Sequence, residues 1–152
     1  MKSSYIILFL IAPVLFSCKK SVADDVPSIV NGPLNNIDGT WKMIVVKDNT
    51  TNSSTTKPSF IQGDVVITIV SNSATTGVFN GKTPSNTIMS NDFSLGPNYI
   101  ISMPVLSMTK VNETTWGREF VDNIRDAQQY SFTSVGELSI RTTNKTLTFK
   151  KL

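Results

Sequence analysis

Three short stretches at the C-terminal end constrain this chain most. Gln129–Thr133, Glu137–Thr142 and Thr146–Lys150 each alternate apolar with polar residues. Tyr130 and Phe132, Leu138 and Ile140, and Leu147 and Phe149 share one face, with Ser, Thr, Arg or Lys on the other. Successive strand side chains point to opposite faces, so the pattern predicts an antiparallel meander with one core face and one wet face. Val135-Gly136 and Asn144-Lys145 supply its turns.

One segment has a different period. In Thr115–Gln128, Trp116, Phe120, Ile124 and Ala127 fall on one arc at 100° per residue, with Gly117 and Val121 at its edge. Arg118, Glu119, Asp122, Asn123, Arg125 and Asp126 fall opposite. That predicts one amphipathic helix over 115–128, capped by Thr114 or Thr115. Upstream, Gly39–Lys47 reads as a strand, with Trp41, Met43 and Val45 on one face and Lys42, Ile44 and Val46 on the other. Asp48–Ser59 is a polar loop without period. Asp64–Val70 is apolar on both faces, as a central strand is. Thr76–Asn80 is a third strand, and the Gly and Pro of Gly81–Asn86 predict a turn. Thr87–Ser90, Asp92–Leu95, Tyr99–Met103 and Val105–Lys110 alternate in turn, with Pro104 breaking the last pair. Many short strands and one helix predict a mainly β fold: a small β-barrel or strongly curved antiparallel sheet.

The N-terminus reads as an address and an anchor. Lys2 precedes an apolar run from Tyr5 to Phe16, which has the proportions of a secretory signal and is too short to span a bilayer. It ends Leu15-Phe16-Ser17-Cys18, which resembles the lipobox of bacterial lipoproteins, with Phe16 bulkier than that pattern prefers. The expectation is a signal peptide over 1–17, lipid attachment at Cys18, a tether over 18–36 and one folded domain over 37–152. Two or more acyl chains, at about 0.8 kcal/mol per buried CH₂, anchor a protein without a spanning helix.

The composition excludes several chemistries. The chain has no His and one Cys. Triads that depend on His, thiol catalysis in the mature chain, Cys/His zinc sites and an intrachain disulfide are therefore ruled out. Gly77 and Gly81 lack the following residues of a phosphate loop. A formal charge of +3 is too small to imply nucleic acid. Glu119 and Asp122 lie one turn apart beside Arg118 and Arg125, which reads as surface ion pairing rather than catalysis. Trp41 either lines a ligand cavity or plugs the barrel, and Trp116 reads as a core anchor.

Several stretches together carry a resemblance. Ile37-Asp38-Gly39-Thr40-Trp41-Lys42 looks like the G-x-W opening of lipocalin-like barrels. Gly77–Asn86, Thr109-Lys110-Val111, Trp116-Gly117-x-x-Phe120 and the three C-terminal stretches resemble the META/HslJ-like domain of envelope lipoproteins, Bacteroidetes-type bacteria included, over Asp38–Leu152. Many members carry a Gly-Cys-Asn turn and a second Cys before the helix. This chain has neither, so no thiol role transfers. The resemblance implies a lipocalin-like barrel with a helix and a loose link to envelope stress and drug tolerance, without a defined catalytic activity. The expectation is a lipid-anchored, non-enzymatic monomer of the bacterial envelope, in the outer membrane on either face, with an interaction or structural role. Its membrane contact runs through Cys18, and no cofactor, metal or nucleic acid is expected. The alternative is a binder of a small apolar ligand inside the barrel.

Overall fold

The computed structural model describes residues 37–152. The expected signal peptide (1–17), Cys18 and the tether (18–36) lie outside the described residues. Among the described residues, nine strands form one sheet: β1 (Gly39–Asp48), β2 (Ser54–Thr56), β3 (Val66–Ser71), β4 (Thr76–Lys82), β5 (Thr87–Leu95), β6 (Ile101–Ser102), β7 (Ala127–Phe132), β8 (Leu138–Thr142) and β9 (Lys145–Lys151). One helix, α1 (Thr115–Val121), lies between β6 and β7. The order across the sheet is β6-β5-β4-β3-β1-β9-β8-β7, with β2 hydrogen-bonded to β1. Every pairing is antiparallel. The two outer strands approach each other, and a single bridge joins Ile100 to Gln129. The result is a mainly β, nearly closed barrel with one helix. Near closure matters because an open edge is a row of unpaired N–H and C=O groups.

The C-terminal meander forms as its alternation predicts. Leu138, Ile140, Leu147 and Phe149 are all fully buried, and Phe132 and Tyr130 join them from β7. These side chains meet Ile67, Ile69 and Phe79 from β3 and β4 in one continuous core. Aromatic edges organise it: Phe120 meets Phe149 at 6.4 Å and 87°, and Tyr130 meets Phe132 at 6.2 Å and 85°. Such edge-to-face pairs add about 0.5–1.5 kcal/mol beyond burial.

The strand and helix limits differ from the sequence reading in several places. The helix stops at Val121 instead of Gln128. A 3-10 turn over Ile124–Asp126 follows, and Ala127 and Gln128 already belong to β7. Ile124 and Ala127 remain buried, so the apolar arc is used although its last part is not helical. In β1 a bulge between Met43 and Val45 shifts the phase. Trp41, Met43 and Val46 are therefore buried, whereas Val45 is not. The supposed loop after Asp48 contains β2, paired through Val45↔Thr56 and Lys47↔Ser54. In β3, Ile67 and Ile69 are buried but Val70 is 47% exposed, so only one face enters the core. Gly81 and Lys82 extend β4 into the expected turn. A Cβ on Gly81 would run into the Val66 carbonyl oxygen, which is why the ladder continues there only with glycine. The two predicted stretches over 87–95 merge into β5. The 99–103 stretch shrinks to β6, and 105–110 contributes only the bridge Met108↔Ile88.

Candidate functional site

A surface cleft of about 550 Å³ opens between β5, the segment before α1 and the helix itself. Met89, Leu106, Met108, Val111 and Val121 give it an apolar wall, while Arg125 and Lys110 stand at the same cleft. Its polar wall is one connected cluster. Asn86, 4% exposed, uses every hydrogen-bonding position of its amide. Its Nδ2 donates to the Val111 carbonyl at 2.9 Å and to Glu113 Oε2 at 2.8 Å. Its Oδ1 accepts from the Val111 amide at 2.7 Å and from the Thr109 hydroxyl at 3.1 Å. The β4–β5 turn holds Asn86 from behind, since its N–H donates to the Thr83 hydroxyl and its carbonyl accepts the Thr83 amide.

Glu113 is the ionisable member of the cluster. Burial opposes its ionisation, but donors from Thr83, Asn86, the Thr114 amide and Ser85 outweigh that and hold its carboxyl below the usual range. The hydroxyl of Thr83 donates to Oε2, and the Thr114 amide donates to Oε1 at 2.9 Å. Thr114 also caps α1 by accepting the Gly117 N–H at 3.1 Å. Gly117 is buried, and a Cβ there would collide with the Glu113 carboxylate. The group stays ionised with its lone pairs occupied. Chemically it orders chain rather than accepting a substrate proton.

The residues singled out from sequence are dispersed. Trp41 is 1% exposed; its indole N–H donates to the Ile37 carbonyl at 2.8 Å, and its ring lies 6.1 Å from Phe132. It fills the barrel. Trp116 is equally buried and sits in the core, as the helical arc requires. Asp122 is exposed and Glu119 half-buried, and neither joins the Asn86–Glu113 cluster. The expected ion pairs of Asp122 with Arg118 and Arg125 do not form. The ion pairs among the described residues are Lys42–Asp64, Lys57–Asp64 and Lys145–Asp48. Cys18 lies outside the described residues. Sequence reasoning missed Asn86 and Glu113, because a side chain that bonds backbone 25 residues away leaves no local period. The one available signal was Gly117: a glycine inside a short helix costs about 1 kcal/mol against alanine and marks a close approach.

Two further clefts lie among the described residues. A cleft of about 530 Å³ follows the β6–β7 seam, lined by Ile100, Ile101, Ser102, Ala127, Gln129 and Arg141. A smaller one, about 370 Å³, lies by Gly77, Asp92, Phe93 and Pro104. Among the described residues no three Asp, Glu, Cys or His side chains are grouped to hold a metal ion, and no helix is long and apolar enough to cross a membrane.

No model of a known protein family matches the sequence. Comparison with curated proteins likewise gives no match. Among solved structures, the chain is similar in fold to an NMR structure of a protein from Burkholderia xenovorans, with a TM-score of 0.51 and 13% identity, covering 99% of this chain and 98% of that one. At that identity the likeness shows the fold alone.

Proposed function

We propose that this chain is a lipid-anchored protein of the bacterial envelope, of the META/HslJ-like type, held in the outer membrane through Cys18. Its folded domain is non-enzymatic and works through its surface, in an interaction or supporting role tied to envelope stress. The observation that carries this reading is the barrel interior. Trp41, Phe79, Trp116, Phe120 and Phe149 occupy it, each less than 2% exposed. A small barrel whose interior is taken by side chains offers its outside for function. The META/HslJ-like part of the reading rests on the sequence resemblance, whose segments lie together in the fold. Gly77–Asn86, Thr109–Val111 and Trp116–Phe120, which carry the resemblance, converge on one cluster, where Asn86 bonds Thr109, Val111 and Glu113, and Glu113 packs on Gly117. The test of the anchor is fractionation of a native-like host expressing Cys18→Ser. The expected result is loss of the protein from the membrane fraction. A variant that stays with the membrane like the wild type refutes the anchor.

A second reading, a small apolar ligand inside the barrel, has one observation in its favour. The Tyr130 hydroxyl and the Trp116 indole N–H are buried without a partner. Buried donors are ordinarily satisfied, and a ligand carrying an acceptor would satisfy them.

A further inference from the structure

Near-neutral overall charge conceals a concentrated row. At one level of the ladder, Lys150 of β9 stands opposite Lys42 of β1, Lys42 opposite Val66 of β3, and Val66 opposite Lys82 of β4. Trp41 before Lys42, Phe149 before Lys150 and Thr83 after Lys82 are buried, so the three lysines project from the outer face. Lys57, just past β2, joins them: its Nζ lies 2.9 Å from Asp64, whose other oxygen is 3.8 Å from Lys42 Nζ. Among the described residues, Asp64 is the carboxylate these lysines engage. The hydrogen bond from Lys57, opposed by burial and helped by the charges of Lys42, Lys57 and Lys82, holds its carboxyl below the usual range. It stays charged and still leaves the patch with a large positive excess.

One carboxylate offsets only part of the repulsion within this row. Like charges directly opposite across strands destabilise a sheet, and Lys42 and Lys150 are such a pair. An anionic partner would remove that repulsion. The residue type indicates which kind. Protein–protein interfaces are enriched in Arg and aromatic side chains and depleted in Lys. The row contains only flexible ammonium groups, which suit a diffuse layer of phosphates. The length of chain before the domain permits it. Lys42 lies a few residues beyond Ile37, and the eighteen residues of Lys19–Asn36 can separate Ile37 from Cys18 by at most about 65 Å.

We propose that Lys42, Lys57, Lys82 and Lys150 form a docking face for the phosphate groups of the anionic bilayer to which Cys18 is attached. This rests on the lipid-anchor reading above. Docking would lay the barrel on its β9–β1–β3–β4 side.

The experiment uses the full wild-type protein, purified from a native-like host, with vesicles of phosphatidylcholine alone or mixed with phosphatidylglycerol. Flotation reports the anchor, and the rate of amine labelling at each lysine reports docking, with exposed Lys110 as control. The expected result is flotation on both vesicles, with labelling of Lys42, Lys82 and Lys150 slowed at least about fivefold only where phosphatidylglycerol is present. Protection should disappear when salt rises from about 0.1 M to about 1 M, which shortens the screening length from about 10 Å to about 3 Å. The variant Lys42→Gln/Lys82→Gln/Lys150→Gln should float equally and lose the protection of Lys57. Flotation on both vesicles with equal labelling overturns the docking face and leaves the anchor standing. Flotation only with phosphatidylglycerol overturns the anchor; it upholds the docking face if Lys42, Lys82 and Lys150 are protected there and overturns it if they are not. Flotation on neither overturns both.

Discussion

Asn86 is the residue on which the polar part of this interior turns. It ties the β4–β5 turn to the chain entering α1, and each of its amide atoms has a partner. Asn86→Asp would set an oxygen against the Val111 carbonyl and the Glu113 carboxylate. The expected loss is about 3 kcal/mol or more near neutral pH. Part of it should return near pH 5, where one carboxyl of the close pair takes a proton. Urea denaturation at the two pH values checks this, and an equal loss at both contradicts it. Gly117 gives a second residue-level prediction. Alanine is favoured over glycine in a helix by about 1 kcal/mol, yet a Cβ here meets the Glu113 side chain. Gly117→Ala should therefore cost about 1–3 kcal/mol by overpacking. In a Glu113→Ala background that cost should vanish, which a double-mutant cycle reads directly.

At the scale of elements, α1 is held by packing and not by its charges. Phe120 is fully buried and meets Phe149, whereas Asp122 is an exposed C-cap residue. Phe120→Ala should cost about 3–5 kcal/mol and Asp122→Ala well under 1 kcal/mol in urea denaturation. Comparable costs would place Asp122 in a role that the structure does not give it. The turn between β1 and β2 is organised by Asp48. Its pKa is lowered to about 2, first by the Thr51 amide, then by Lys145 and the Thr50 amide. A carboxyl depressed by folding adds stability above its unfolded pKa and withdraws it as pH falls through the folded value. Asp48 should therefore add to the loss of thermal stability between about pH 4 and pH 2. Asp48→Asn, compared with wild type by melting across that window, should flatten the slope. An unchanged slope contradicts the assignment. Asp48 also marks how far the sequence was legible. Strict alternation located β7, β8 and β9 because one face of each is core. β2 escaped because Ser54, Thr55 and Thr56 are exposed on both faces, leaving backbone pairing as its only cause. The phase of β1 was misread after Met43 because a bulge adds a residue that no local pattern announces. The apolar arc of 115–128 continued past the true helix end because Ile124 and Ala127 are buried from a 3-10 turn and a strand. Of the candidate site, the apolar anchors Trp41 and Trp116 were legible. The Asn86–Glu113 cluster was not, being assembled across the chain from residues 23 to 30 positions apart.

The described residues, 37–152, form a nearly closed barrel with one seam. β1 is paired on both sides, with β9 and with β3, while β6 and β7 meet through the single bridge Ile100↔Gln129. Amides of β1, β3 and β9 should exchange with solvent slowest, and those of Ile101, Ser102 and the seam-facing side of β7 fastest, because local opening begins where ladder bonds are fewest. Uniform protection across the seam would mean a barrel more fully closed than the pairing indicates. Tyr99, at a positive φ of 60°, packs its ring 5.5 Å from Tyr130 near this seam. Burial, and secondarily Tyr99, pushes the Tyr130 hydroxyl above its ordinary pKa, so it remains a neutral buried donor. That donor and the Trp116 indole separate a barrel that acts by its surface from one that carries a ligand. The most direct measurement is the mass of the purified mature protein, first under native and then under denaturing conditions. A filled, lipid-anchored barrel predicts one mass in both, equal to the chain from Cys18 onward plus its acyl groups. A native mass larger by one stoichiometric apolar molecule, released on unfolding, would contradict it.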